Sequence, residues 1–395
     1  MLRMVRGLIV EDCLKEPLDQ IFKKNVYSIL VGSIYEEKRY VLSVFEVPMS
    51  NSLEEDFESS MNQLLYALPG GSYPIGIICN EKVVSLLNML RKGIQRLQKL
   101  IAVDETLLEP FVLYKTGNKV ESKVFVEGQL KPLSIKFQSF FSSWNEVCSY
   151  INIDKSIMLP GYNNVKTWKS SFRTEISNLI KDLTSCKIQF KGNTCKGEKS
   201  FFEDPGKSRN NIGKVLHPKL IFPLVSKANS KKTNVSAIIG SLYTHIFVPP
   251  KISTERTREL MMEDIAKSLH CRAESYCEFA EQEIGTKCDS RIVNSTLRLP
   301  YRVTFPVGLI ELSIYLLQDE KISQAVQVAS ELFDIEPTSI RAHEECKELS
   351  TAESDPAEEE KDTAALRNVI IATMGGIVAV LISFIFLSNN YPLGS

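Results

Sequence analysis

"VYSILVGSIY" (residues 26–35) and "KRYVLSVFEVP" (residues 38–48) decide how the front of this chain is read. Both runs are rich in β-branched and aromatic residues and only two residues separate them, which predicts a β-hairpin. Working outward, "LEEDFESSMNQLLYAL" (residues 53–68) has helical spacing, and the "LPGG" that overlaps its end stops it. "YPIGIIC" (residues 73–79) then reads as a short buried strand. Val83, Leu87, Leu90, Ile94, Leu97 and Ile101 fall on one helical stripe suited to covering a sheet face. "EPFVLYKTG", "KVESKVFVEG" and "LKPLSIKF" add further strands. The expectation is a compact mixed α/β domain over residues 1–160.

Residues 161–235 read as a linker with a loop-like insertion. Its basic residues, Lys191, Lys196, Lys199, Lys207, Arg209, Lys214, Lys231 and Lys232, lie among glycine, asparagine and serine. Residues 236–349 form a second α/β region opening with "SAIIGSLYTHIFVPP", where IGSLY echoes the VGSIY of the first hairpin. The echo is either a duplication, giving two related halves, or a chance likeness between hairpins. A long helix is expected from Thr254 to about Gln282, a strand over "RLPYRVTFPVGLIEL" (residues 298–312), and a helix over "EKISQAVQVASELFDIEP" (residues 320–337). Residues 350–366, acidic and poor in large apolar side chains, read as a flexible tether.

Lysine and arginine (47) nearly cancel aspartate and glutamate (48), so the charge balance argues against a nucleic-acid partner. Nine cysteines without paired spacing read as reduced thiols in a cytosolic setting. The amino terminus turns acidic after Val10, so no secretory signal is read there.

Near the other end, 19 residues in a row carry no charge (residues 369–387). Val369, Ile370, Ile371, Met374, Gly375, Gly376, Ile377, Val378, Val380, Leu381, Ile382, Phe384, Ile385, Phe386 and Leu387 make up most of the run. At about 1.5 Å per residue a helix of this length spans roughly 28 Å, the thickness of a bilayer's hydrocarbon layer. Arg367 flanks it on one side and no cation follows, so residues 367–388 are expected to cross a membrane with the bulk of the chain cytosolic and residues 389–395 lumenal.

A search for chemistry gives little. His217, His245, His270 and His343 form no H-x-H or H-E-x-x-H pair. The best metal candidate, His270 with Cys271, Cys277 and Cys288, fits no usual zinc spacing. The glycine pair Gly70 and Gly71 is followed by no Lys-Ser or Lys-Thr, which excludes a phosphate loop. The sequence therefore predicts no catalytic, cofactor or metal residues. The enzyme alternative is a cysteine-dependent hydrolase built on Cys13, Cys79, Cys148, Cys277 or Cys288.

Three stretches go further. "LPGGSYPIGIIC" contributes Leu68, Pro69, Gly70, Gly71 and Gly76, "SSWNEVCSYINIDKSIMLP" (residues 142–160) contributes Trp144, and "LPYRVTFPVG" contributes Leu299, Pro300, Tyr301, Arg302 and Val303. In this order, ahead of a terminal apolar segment, they resemble the odr-4-like family. The resemblance implies a non-enzymatic, tail-anchored adaptor of the endoplasmic reticulum that supports trafficking of seven-helix, odorant-type receptors. It also implies a partnership with the cysteine protease specific for the ubiquitin-fold modifier, and an inactive MPN-like domain. The alternative within that class is direct escort of client receptors through the membrane helix.

Overall fold

The computed structural model describes residues 7–343 except 36–37, 51, 80–82, 101–108, 161–164, 191–192, 195–214, 222–234, 287–295, 334 and 338. The tether, the apolar segment at residues 369–387 and the tail after it lie outside the described residues, as do most of the basic insertion and Cys288.

The opening hairpin forms as its composition demands. After β1 (Gly7–Val10) and helix α1 (Lys15–Lys24), strands β2 (Ser28–Tyr35) and β3 (Lys38–Glu46) pair antiparallel. Helix α1 ends where Asn25 takes up the left-handed conformation (φ 57°), a role this residue type tolerates. Helix α2 (Leu53–Ala67) begins at Ser52, whose hydroxyl accepts from the Glu55 amide. Strand β4 (Tyr73–Ile78) and helix α3 (Val83–Leu100) follow as predicted, and Leu86, Leu87, Leu90, Ile94 and Leu97 of α3 are all buried.

The region continues through β5 (Phe111–Thr116), β6 (Lys119–Val126), β7 (Gln129–Leu133) and β8 (Ile135–Phe137). Together they complete a mixed sheet in the order β7-β6-β5-β4-β2-β3-β1-β8. The sequence reads "LKPLSIKF" as one strand, but it divides at Ser134 into the two outermost strands of the sheet. The Ser134 carbonyl accepts from the Leu8 amide, so the chain leaves one edge and joins the other within a single residue.

Strand β9 (Asn145–Met158) pairs antiparallel along its whole length with a later strand. Between them come helix α4 (Val165–Leu183) and the short strands β10 (Lys187–Phe190), β11 (Asn193–Thr194), β12 (Val215–Leu216) and β13 (Lys219–Ile221), where the sequence predicts only loop. The partner of β9 is β14 (Val235–Val248), a single continuous strand where the earlier copy of the echo is a two-strand hairpin. Helix α5 (Thr254–Thr286) packs with α4 beside this pair, and β15 (Thr296–Leu297) extends its sheet. The stretch predicted as one strand at residues 298–312 is a hairpin of β16 (Tyr301–Val307) and β17 (Ile310–Leu316). Gly308 (φ 62°) supplies the left-handed residue that the turn needs. Helix α6 (Ile322–Phe333) and the two-residue strand β18 (Arg341–Ala342) close the described chain. One compact unit takes in all of these elements.

Candidate functional site

Helix α5 positions the first cluster. Met261, Ile265, Leu269, Ala273 and Cys277 recur every four residues and are buried, which is the ordinary core stripe of a helix. Unusually, Glu263, Asp264, Lys267, Ser268 and Arg272 are buried as well. Buried charges need partners, and those on α5 find them in the motif stretches.

The Asp264 carboxylate accepts from Arg302 twice, at 2.7 Å from Nη1 and 3.1 Å from Nη2. It also accepts from the Gly70 amide at 3.0 Å and the His245 amide at 3.1 Å. Burial alone pushes this carboxyl upward, but the Arg302 charge and hydrogen bonds outweigh that and hold it below its ordinary range. Arg302 gives its Nε proton to the Ser313 hydroxyl (2.8 Å) and also bonds the Tyr243 carbonyl (3.1 Å). Lys267 donates to the Pro69 carbonyl (3.1 Å), and Glu263 accepts from the Tyr73 hydroxyl and the Gly71 amide. Arg272 reaches the Pro300 carbonyl at 2.8 Å.

The LPGG and LPYRV stretches are thus brought together around one helix. Gly70 passes so close to α5 that a Cβ there would lie 2.2 Å from the Leu260 carbonyl oxygen, and Gly71 has φ 76°. At Gly76 a Cβ would meet the Phe111 ring at 2.7 Å. Leu68, Leu299 and Val303 are core, and the Tyr301 hydroxyl donates to the Glu320 carbonyl (2.8 Å). Trp144 stands apart, buried against Tyr40, Phe140 and Phe141. The junction is a joint: Arg302 matches Asp264, Lys267 matches Glu263, and Arg272 is held by the Ser268 hydroxyl and the Pro300 carbonyl.

A second cluster lies across the facing ends of β9, β14 and β17. Cys148 and His245 sit directly opposite in the β9–β14 register, and Glu146 shares the Cys148 face two residues away. Oxygen, sulfur and nitrogen atoms of Glu146, Cys148 and His245 all lie within 4.8 Å of one another. His245 is 1% exposed; its Nε2 is 3.1 Å from Glu146 and its Nδ1 is 3.3 Å from Glu311. Neither ring nitrogen makes a hydrogen bond. Burial opposes a charge on His245, yet the two carboxylates outweigh it and raise the ring above its usual value. Glu311 is correspondingly held down to about 2 against the upward push of burial, and Glu146 is lowered by the same imidazole. The Tyr243 hydroxyl donates to the Cys148 sulfur at 3.2 Å.

As it stands the cluster holds its cysteine as the thiol. Burial pushes the Cys148 thiol to about 12, and attack needs thiolate. Cys13 is also raised, Cys79 and Cys271 to about 12 and Cys277 to about 11, in each case chiefly through burial. The sequence-level metal candidate does not assemble among the described residues either: the His270 ring lies against Tyr66, and the ligand atoms that converge are those of Glu146, Cys148 and His245. Spacing rules missed this set because its members are 97 residues apart along the chain; only strand register brings them opposite one another.

The architecture defines a mixed α/β protein organised around a long charged helix, and no described helix is long and apolar enough to cross a membrane. Residues 29–343 match the family described as "ODR4-like: Odorant response abnormal 4-like", and the chain belongs to that family. No curated protein matched the chain. Among solved structures it is similar to one titled "Crystal structure of UfSP from C.elegans", at 10% identity and a TM-score of 0.46, over 84% of this chain and 57% of that one. The chain therefore spans a little over half the length of that neighbour.

Proposed function

We propose that this protein is a membrane-anchored, non-enzymatic adaptor of the endoplasmic reticulum. Its folded body, an MPN-like scaffold without catalytic machinery, recruits the ubiquitin-fold-modifier-specific cysteine protease, and the assembly supports trafficking of seven-helix receptors. The family match over residues 29–343 carries this reading. Two observations support it further. The uncharged run at residues 369–387 has the length of a bilayer span, and the described thiols with shifted acidity all move away from thiolate.

Truncation before Arg367 tests the division of labour. The shortened chain is expected to become soluble, to keep the protease in a pull-down, and to lose the ability to bring it to membranes. A folded truncated chain that no longer held the protease would sink the adaptor reading. Gly375 and Gly376, which permit close helix packing, favour the escort reading as second. Replacing residues 369–387 with an unrelated apolar helix separates the two: an adaptor keeps its clients' surface delivery, and a helix-reading escort loses it.

A further inference from the structure

We propose that Glu146, Cys148 and His245 form a zinc site that ties β9 to β14, with Glu311 holding the imidazole from behind. The inference does not rest on the adaptor reading.

Geometry carries it. Zinc bonds of about 2.0–2.3 Å arranged tetrahedrally place a nitrogen and an oxygen ligand about 3.3 Å apart, and a sulfur and an oxygen ligand about 3.6 Å apart. The corresponding separations here are 3.1 Å from His245 Nε2 to Glu146 and 3.5 Å from Cys148 Sγ to Glu146. Two of the three ligand separations thus already match a tetrahedral metal, and the third, between the Cys148 sulfur and the imidazole, lies within 4.8 Å.

The buried imidazole, without a hydrogen bond of good geometry at either nitrogen, is the second observation. The ring, 1% exposed, is held by two carboxylate ion pairs that lack hydrogen-bond geometry at either nitrogen, a costly arrangement for a structural histidine, and a metal would give Nε2 a directional partner. On the ring's far side, the Glu311 carboxylate 3.3 Å from Nδ1 stands where metal-bound histidines keep an orienting carboxylate. The Tyr243 hydroxyl, 3.2 Å from Cys148 Sγ, is placed to hydrogen-bond a thiolate.

Ligand chemistry selects the ion. One sulfur, one imidazole and one carboxylate suit Zn²⁺, whereas Mg²⁺ and Ca²⁺ take oxygen sets. Binding displaces the thiol proton and the Nε2 proton to solvent, so two protons leave as two positive charges arrive and the buried site keeps its net charge. The Glu146 side chain, 29% exposed, opens the site toward solvent for ion entry and for a fourth ligand from water.

The test uses the full chain, purified in detergent, stripped with chelator and titrated with Co²⁺. One Co²⁺ per chain is expected, with a thiolate-to-cobalt charge-transfer band, tetrahedral visible bands, and full displacement by Zn²⁺. Cys148→Ala should lose the charge-transfer band, and Glu311→Gln should weaken affinity roughly 10–100-fold. Absence of the band in the parent chain, or its persistence in Cys148→Ala, overturns the site. If Cys148→Ala does not fold, the partly exposed Glu146→Gln decides: cobalt affinity unchanged from the parent overturns the proposal, and affinity reduced tenfold or more upholds it.

Discussion

The two buried clusters, one around Asp264 of α5 and the other around His245 of β14, meet along β14 and treat charge in opposite ways. At the first, each carboxylate oxygen of Asp264 accepts two hydrogen bonds, and its cationic partner Arg302 makes further bonds to Ser313 and Tyr243. At the second, a histidine between two glutamates makes no hydrogen bond from either ring nitrogen. Saturation marks a joint that fixes the fold, and incomplete satisfaction marks a place suited to something else.

The sharpest way to break this contrast is Asp264→Ala. It strands the Arg302 guanidinium and the Gly70 amide in the core, and should cost about 3–5 kcal/mol in denaturant unfolding. A cost below about 1 kcal/mol would show that the joint is not saturated in the sense described. The same carboxylate should leave a signature in pH. Its folded-state pKa is lowered, so its contribution is complete above the unfolded value of about 3.9 and disappears as pH falls through the lower folded value. Acid unfolding followed by circular dichroism should therefore steepen below about pH 4 in the parent chain and flatten there in Asp264→Asn.

Gly70→Ala comes next. With a Cβ 2.2 Å from the Leu260 carbonyl oxygen, backbone must shift, and a loss of about 1–3 kcal/mol is expected from thermal unfolding. Ser313→Ala, which removes only the acceptor for Arg302 Nε, should cost about 1–2 kcal/mol. Tyr243→Phe at the other cluster should be the mildest, about 1 kcal/mol or less, since its hydroxyl meets a weak sulfur acceptor. A larger loss there than at Ser313 would invert the comparison.

Local pattern made the elements between Val26 and Leu100 legible in the sequence, because period-two and helical spacing are properties of short windows. Helix α5 was legible for the same reason, and extends only a few residues past its expected end. Tight turns defeated the reading at two places: Ser134 splits one apolar run into two strands, and Gly308 folds another into a hairpin. The clusters were not legible at all. Gly70 and Asp264 are separated by 194 positions, and nothing near either residue announces the other. Arg302 was singled out within the LPYRV stretch, but nothing in the sequence singled out its buried partner Asp264 on α5.

The seam at Ser134 has one further consequence, for how the body can meet other proteins. Sheet edges invite added strands, and folds guard them with short strands, proline and charge. Here the outer strands have five and three residues, β7 carries Lys131 and Pro132, and β8 carries Lys136. Strand addition on the eight-stranded sheet is thereby disfavoured, which leaves its helices and faces as the surfaces open to contact.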